Sequence, residues 1–422
     1  MTAERTMLLV GGTDQHLARA KELGVRVVLL QQPHRVDAFQ TEHADALLMV
    51  DYTNWDTVWP LAKAARSIWR FDAVVSLTEG GLDVAARLNQ RFGFRGTRPE
   101  VSRRLRDKAL MRRHLTAKGK GTLPWARVTG PESLGDFGSR SGYPFIVKPT
   151  DSTAGFGVIR VNGPEDLPGA WRRIEEMRER PHRRGAVYFT VREFLMEAYV
   201  EGPEFSVEAF SFGGRHAVVA VTEKLLHEAG FVELGHALPA RLDPAAHGEI
   251  TRAVTEFLEV MGVTDGASHT ELRLGPQGPV VIESHNRIGG GHINELVEAA
   301  YGIDMVGYGL GWPMGMVEEL TEPPVARAAA CTRFVFRDPG TVMAVSGVGS
   351  VAARSDVLAA EVGVWPGEVV GPLRDNRDRL GFVAATAADT AAAIALCEEL
   401  TREIRIDVVP HAYAGSLALK AA

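Results

Sequence analysis

Cysteine is almost missing: Cys331 and Cys397 are the two in 422 residues. They lie far apart and offer neither a zinc spacing nor a disulfide framework, so a reducing cytoplasm is the expected setting. Long apolar runs are missing too. The opening MTAERTMLLVGGTD holds too few consecutive apolar residues for a signal peptide, and no window approaches a membrane span, so no membrane partner is expected. Nor does one sign of charge dominate. A net charge of −6 gives no global attraction to nucleic acid. The basic run 178–184 has no interleaved aromatics to stack bases and reads as a solvated loop. Internal repeats and low-complexity tracts are absent. What remains is an ordinary soluble composition, 45% hydrophobic and 24% charged, in a chain long enough for about two to four domains.

An apolar run at 7–10, a glycine turn, a helical segment and a second apolar run at 25–30 make a βαβ opening. Alternation continues through 46–50, 57–69, 73–77 and 82–92, which predicts a parallel sheet wrapped by helices. Gly11-Gly12 is not a dinucleotide fingerprint, because the third glycine and the acidic ribose partner are missing. Thr78-Glu79-Gly80-Gly81 lies at the carboxyl end of a strand, where ligands sit in open sheets, but reads better as the N-cap of the next helix.

The chemistry concentrates in 269–293. Two apolar segments flank the turn Gly275-Pro276-Gln277-Gly278, a hairpin signature. Each carries one carboxylate, Glu271 and Glu283, and the hairpin sets them face to face. Two such carboxylates repel unless a positive charge lies between them, and a hard divalent cation is the usual solution. Arg287 and Gly289-Gly290-Gly291 follow, leading into a helix, a combination suited to oxyanions and above all phosphates. Upstream, a basic helical stretch at 103–118 carries Lys108, and the strand 143–149 ends on Lys148. The loop 150–157 (TDSTAGFG) reads, taken alone, as an ordinary hairpin loop with an exposed lysine; the other reading is a small-residue lid able to lay backbone N–H groups over phosphates. The segment 194–208 breaks a strand at Glu201-Gly202-Pro203, leaving backbone groups for an adenine edge, with Glu204 placed for ribose hydroxyls. Lys224, Glu233 and His236 interrupt an apolar background as substrate-pocket groups do. The segment 319–324 reads as a linker, and the last hundred residues mix short strands with one helix, 390–403, and show no chemistry.

In this order, Lys108, Val147-Lys148-Pro149, the loop 150–157, MEAYVEGPE at 196–204, Glu271 and Glu283-Ser284-His285-Asn286-Arg287 resemble the ATP-grasp superfamily over about residues 100–315. TEGGL at 78–82, the segment 233–242 and the long C-terminal region look like the L-amino-acid ligases that make dipeptides. The resemblance implies an α/β and α+β architecture: an ATP-grasp fold preceded by a Rossmann-like βαβ domain and followed by a C-terminal α+β region. The expected divisions are 1–105, a small lid subdomain 106–200, a large subdomain 201–320 and the C-terminal region 321–422.

It also implies roles. Lys108 and Lys148 hold the ATP phosphates while Ser152, Gly155 and Gly157 of the loop close over them. Glu197 and Val200 offer backbone groups to adenine, and Glu204 meets the ribose. Glu271 and Glu283 ligate magnesium, with manganese as an alternative. Arg287 stabilises the acyl phosphate and tetrahedral intermediate, Glu233, His236 and Gly290 face the substrates, and His236 serves as base. One departure is His285, where the superfamily usually has Asn; imidazole suits magnesium poorly, so His285 is expected behind the metal or facing substrate, with a shift to Asn286 as the other solution.

The implied activity is an ATP-dependent ligase that activates a carboxylate as an acyl phosphate and joins it to an amine. Its expected partners are small-molecule carboxylates and amines, with no nucleic acid. The competing readings are a purine-pathway type ligase or carboxylase, and a nucleotide-binding protein without turnover. A homodimer through the apolar βαβ edge or the C-terminal region stays open.

Overall fold

The computed structural model describes residues 5–121, 123–179, 191–227 and 231–410, together with the backbone of 182–184 and 187–189. Strands β1 (Thr6–Val10), β2 (Arg26–Gln31), β3 (Ala46–Met49) and β4 (Ala73–Val75) form a parallel sheet in the order β3-β2-β1-β4. The βαβ pattern demands this, because strands apolar on both faces need helices on both sides. Helix Leu82–Phe92 follows as predicted, but its N-cap is Gly81 and no side chain caps it. Thr78 instead donates to the Gly11 carbonyl, which frees Glu79 for another role.

The basic stretch expected as one helix is two, Pro99–Arg106 and Lys108–Ala117. Asp107 breaks it by accepting from the Ala109 and Leu110 amides, an N-cap in mid-run. Lys108 therefore begins a helix and is buried.

A second sheet holds β5 (Trp125–Arg127), β6 (Phe145–Pro149), β7 (Ile159–Val161) and β10 (Phe194–Ala198), in the order β5-β10-β6-β7. Between them β8 (His182–Arg184) and β9 (Val187–Phe189) pair as a hairpin, so part of the basic run is strand; residues 180 and 181 of that run lie outside the described residues.

The central sheet has eight strands. β11 (Glu204–Phe212), β12 (Arg215–Leu226), β13 (Glu233–Leu238), β14 (Gly266–Gly275) and β15 (Gly278–His285) come from the middle of the chain. Of the later strands, β16 (Ala329–Val335) pairs with β13, and β20 (Gly381–Ala387) and β18 (Val357–Val362) continue outward. The remaining strands, β17 (Gly340–Ser346), β19 (Val369–Val370) and β21 (Arg405–Val409), make a small separate sheet. A second helix, Val348–Ala352, joins Thr390–Glu403 in this region.

One face of the central sheet is apolar. Phe205, Val207, Val221 and Leu272 pack there against Ile250, Val254, Phe257 and Leu258 of the helix Pro244–Met261. Side chains alternate along strands, so the opposite face carries Glu204, Ser206 and Glu208 of β11 and His269, Glu271 and Arg273 of β14. Glu204, Glu271 and Arg273 of that polar face, together with Lys148 and Glu197 of the second sheet and Ser152–Gly155 of the loop, line a shared cavity.

Candidate active site between the two sheets

The hairpin of β14 and β15 forms as expected, with Glu271 directly opposite Glu283. A bulge follows, since Leu272 opposes Val281. It leaves Ile282 extra, and the carbonyl of Ile282 accepts from Arg112 Nη2 at 3.2 Å. Arg112 stands four residues after Lys108 on the same helix face, so one helix sends two cations into the site.

The cations and carboxylates interlock. Lys108 Nζ lies 2.8 Å from Glu283 and donates to the Ser152 carbonyl of the loop at 2.6 Å. Lys224 Nζ meets three carboxylates, Glu271 at 2.7 Å, Glu233 at 2.9 Å and Glu204 at 3.0 Å. Lys148 and Arg112 share Glu197, at 2.6 and 2.5 Å. Arg273 donates to Glu204 and, at 3.2 Å, to the Val200 carbonyl. Burial works to raise Glu271, but Lys224 and His269 together outweigh it and hold the carboxyl at about 2. Glu283 is likewise buried, and Lys108 and His285 keep it well below the ordinary carboxylate range. Burial lowers Lys148, with Arg112 and Lys108 adding to the effect, while Lys224 is driven well above its usual value by its three acids. Both metal-candidate carboxylates are thus ionised, and hard oxygen donors fit magnesium, which takes few protein ligands beside phosphate oxygens.

Behind this pair stands a second layer. Glu208, fully buried, accepts from His269 Nδ1 at 2.7 Å, and His269 Nε2 faces Glu271 at 3.1 Å. Burial pushes His269 down, yet Glu208 and Glu271 raise it to about 9, so the ring is cationic between its two acids. His285 lies behind Glu283, its Nε2 3.3 Å from that carboxylate and its Nδ1 3.1 Å from Glu79. Asn286 faces elsewhere, accepting from Ser102 at 3.4 Å. The chain therefore does not shift to present Asn286 to the carboxylate pair.

Glu79, expected within the cap of the following helix, instead faces His285 and Arg287. Its carboxylate holds Arg287 Nε at 2.8 Å, across 208 residues of sequence. Burial opposes its ionisation, but His285 and Arg287 hold it well below the usual range. Glu233 and His236 come together as β13 side chains, with Nε2 3.3 Å from the carboxylate, while His236 Nδ1 lies 3.1 Å from the Gly291 carbonyl. Gly291 has φ 63°, and a Cβ there would meet His236 at 2.6 Å, so glycine is required beside this ring. Gly290 has open space around it.

The last hundred residues, in which the sequence shows no chemistry, nevertheless reach this cavity. Asn376 lines the cavity and accepts from the Glu233 amide at 2.9 Å, Arg379 Nη2 donates to Glu233, and Arg377 lies over the ring of Phe156 in the 150–157 loop at 4.3 Å. These contacts join residues far apart in sequence, and no local pattern announced them. Lys108, Lys148, Ser152, Gly155, Glu197, Val200, Glu204, Glu233, Glu271 and Glu283 line one cavity. Gly157 instead shapes the loop end with φ 73°, and Arg287 borders a neighbouring cavity with Asn286.

Residues 141–295 match the ATP-grasp domain, residues 17–96 the ATP-grasp N-terminal domain, and residues 333–409 the L-amino acid ligase C-terminal domain 2. The chain carries the ATP-grasp fold, with an ATP-grasp N-terminal domain before it and an L-amino acid ligase C-terminal domain after it. It is 27% identical over 309 residues to alanine–anticapsin ligase of Bacillus subtilis, covering 69% of this chain and 65% of that protein. It is 22% identical over 335 residues to the L-arginine-specific L-amino acid ligase of Bacillus subtilis, covering 78% of each. The crystal structure of an L-amino acid ligase from Bacillus licheniformis shares the ATP-grasp fold, with a TM-score of 0.81 at 20% identity over 97% of this chain and 100% of that one. No helix among the described residues is long and apolar enough to cross a membrane.

Proposed function

We propose that this chain is an ATP-dependent carboxylate–amine ligase that joins two amino acids, or amino-acid-like small molecules, into a dipeptide or amide in the cytoplasm, releasing ADP and phosphate. The observation that carries this reading is the opposed Glu271–Glu283 pair, compensated by Lys224 and Lys108 beneath a small-residue loop. The names of the amino-acid ligases among the relatives support it.

The substrate carboxylate attacks the γ-phosphorus of ATP, ADP leaves, and the amine then displaces phosphate from the acyl carbon. Bringing a carboxylate to a polyphosphate opposes anion to anion. Lys108 and Lys148 offset that repulsion by moving from Glu283 and Glu197 onto phosphate oxygens. Glu271 and Glu283 would hold magnesium, or manganese, which neutralises charge on the phosphoryl oxygens when bound. Val200 and Glu197 border the adenine end and Glu204 the ribose. Arg287, already charged and oriented by Glu79, stabilises the oxyanion of the tetrahedral intermediate. The amine's proton passes to the His236–Glu233 pair. Loop 150–157 excludes water that would hydrolyse the acyl phosphate.

The test is ADP and phosphate release with ATP and magnesium against a panel of paired amino acids, with product mass. Release that needs two amino acids, with a product at their summed mass less water, supports the reading. Confirmed ATP binding without release for any pair, including amino-acid-like acids and amines, contradicts it.

A further inference from the structure

The mechanism leaves one cation beside Glu233 without a task. Arg379 stands two residues before β20, and its Nη2 donates to Oε2 of Glu233. Its guanidinium lies over the Phe334 ring, 3.5 Å from the centroid, so the aromatic face supports the ion without taking its N–H groups. Nε of Arg379 is buried and has no acceptor among the described residues. Nε and Nη2 form one edge of the guanidinium, the two-pronged shape that a carboxylate fills with both oxygens. One prong is occupied and the other is not.

Glu233 does not depend on Arg379. Lys224 meets its Oε1 at 2.9 Å, and His236 Nε2 lies 3.3 Å from Oε2. Three basic groups converge on one carboxylate, which leaves room for a second anion. Arg379, Phe334, His236 and Gly291 make one contiguous wall, with the Phe334 and His236 rings edge to face at 5.5 Å. A carboxylate held at Arg379 therefore sits beside the group that receives the amine's proton.

We propose that Arg379 binds the carboxylate of the amine substrate, so that the nucleophile is an amino acid held by its acid end with its amine turned toward His236. This rests on the ligase reading above. On binding, the substrate carboxylate accepts from Nε and Nη2, and Glu233 keeps Lys224 and His236. The C-terminal region then contributes directly to substrate selection.

The experiment compares wild type, Arg379→Gln and Arg379→Lys with ATP, magnesium and each of the twenty L-amino acids as acyl donor. The nucleophiles are the free L-amino acids, their C-terminal amides, and hydroxylamine, which traps an acyl phosphate as a hydroxamate and has no carboxylate. Wild type is expected to prefer free acids over amides by about tenfold or more in kcat/KM. In both variants that preference collapses, and the ratio of dipeptide to hydroxamate falls by about tenfold or more; lysine restores charge without the fork. Equal use of acids and amides by wild type overturns the proposal, as does loss of dipeptide and hydroxamate in equal proportion. If neither variant folds, the wild-type comparison of acids with amides decides. Wild type that forms neither ADP nor hydroxamate with any acid contradicts the ligase reading, and the role of Arg379 falls with it.

Discussion

Strands β1 and β14 are both buried, and they are opposite in content. β1 is TMLLV, buried at every position, with Leu9 fully enclosed in the apolar core. β14 carries His269, Glu271 and Arg273 on a face that is largely out of solvent but meets Lys224, Glu208 and Glu204. In the first case burial itself stabilises the fold. In the second, each charge costs desolvation energy and is tolerated because another charge stands against it. The N-terminal sheet is organised for stability, and the site face holds charge ready for a polyanion.

The largest expected effect removes one charge from the site. Glu283→Gln keeps the side-chain shape but unpairs the buried Lys108; it should lower ADP release by roughly 10³-fold, read by a coupled assay, and lower the thermal midpoint as well. Lys224→Met attacks the hub instead. It leaves three carboxylates without their common ammonium, and denaturant unfolding should show a loss of about 3–5 kcal/mol. Added magnesium should recover more stability in this variant than in wild type, because the cation replaces the missing charge. Leu9→Ala is the converse. It should cost about 3 kcal/mol of stability while leaving the ATP KM unchanged, since Leu9 touches only the apolar core.

The smallest effect separates two buried histidines by pH. His16, in the helix after β1, is pushed down to about 4, chiefly by burial, and its Nδ1 accepts from the Thr13 amide. An unfolded histidine takes a proton near 6.5, so the contribution of His16 is full above that pH and is lost as pH falls toward 4. His269, raised to about 9, contributes fully below 6.5 and loses its contribution as pH rises toward 9. His16→Gln should flatten the acid limb of the stability profile and His269→Gln the alkaline limb, each by on the order of 1–3 kcal/mol, followed by urea unfolding across pH.

The same contrast explains what was legible in the sequence. The N-terminal sheet could be read from apolar runs at βαβ spacing, and the β14–β15 hairpin from its turn, because both rest on local patterns. The opposition of Glu271 and Glu283 followed from that hairpin. Glu204-Ser206-Glu208 alternate with apolar neighbours and His269-Glu271-Arg273 with Thr270 and Leu272, and such alternation ordinarily marks a solvent face; only a second sheet closing over it makes the face a site. Glu79, Asn376 and Arg379 were out of reach for another reason. Their partners Arg287 and Glu233 lie 208, 143 and 146 residues away, and no periodicity encodes such contacts. Arg112 could have been found, since it shares a helix face with Lys108.

The central claim is that a substrate carboxylate oxygen becomes bonded to the γ-phosphorus. It is tested most directly with an acyl-donor amino acid carrying ¹⁸O in its carboxylate, ligated in unlabelled water, with mass analysis of the phosphate released. The account predicts one ¹⁸O atom in each phosphate, because the attacking oxygen leaves with phosphorus when the amine takes the acyl carbon. Phosphate without label, alongside product formation, would contradict it.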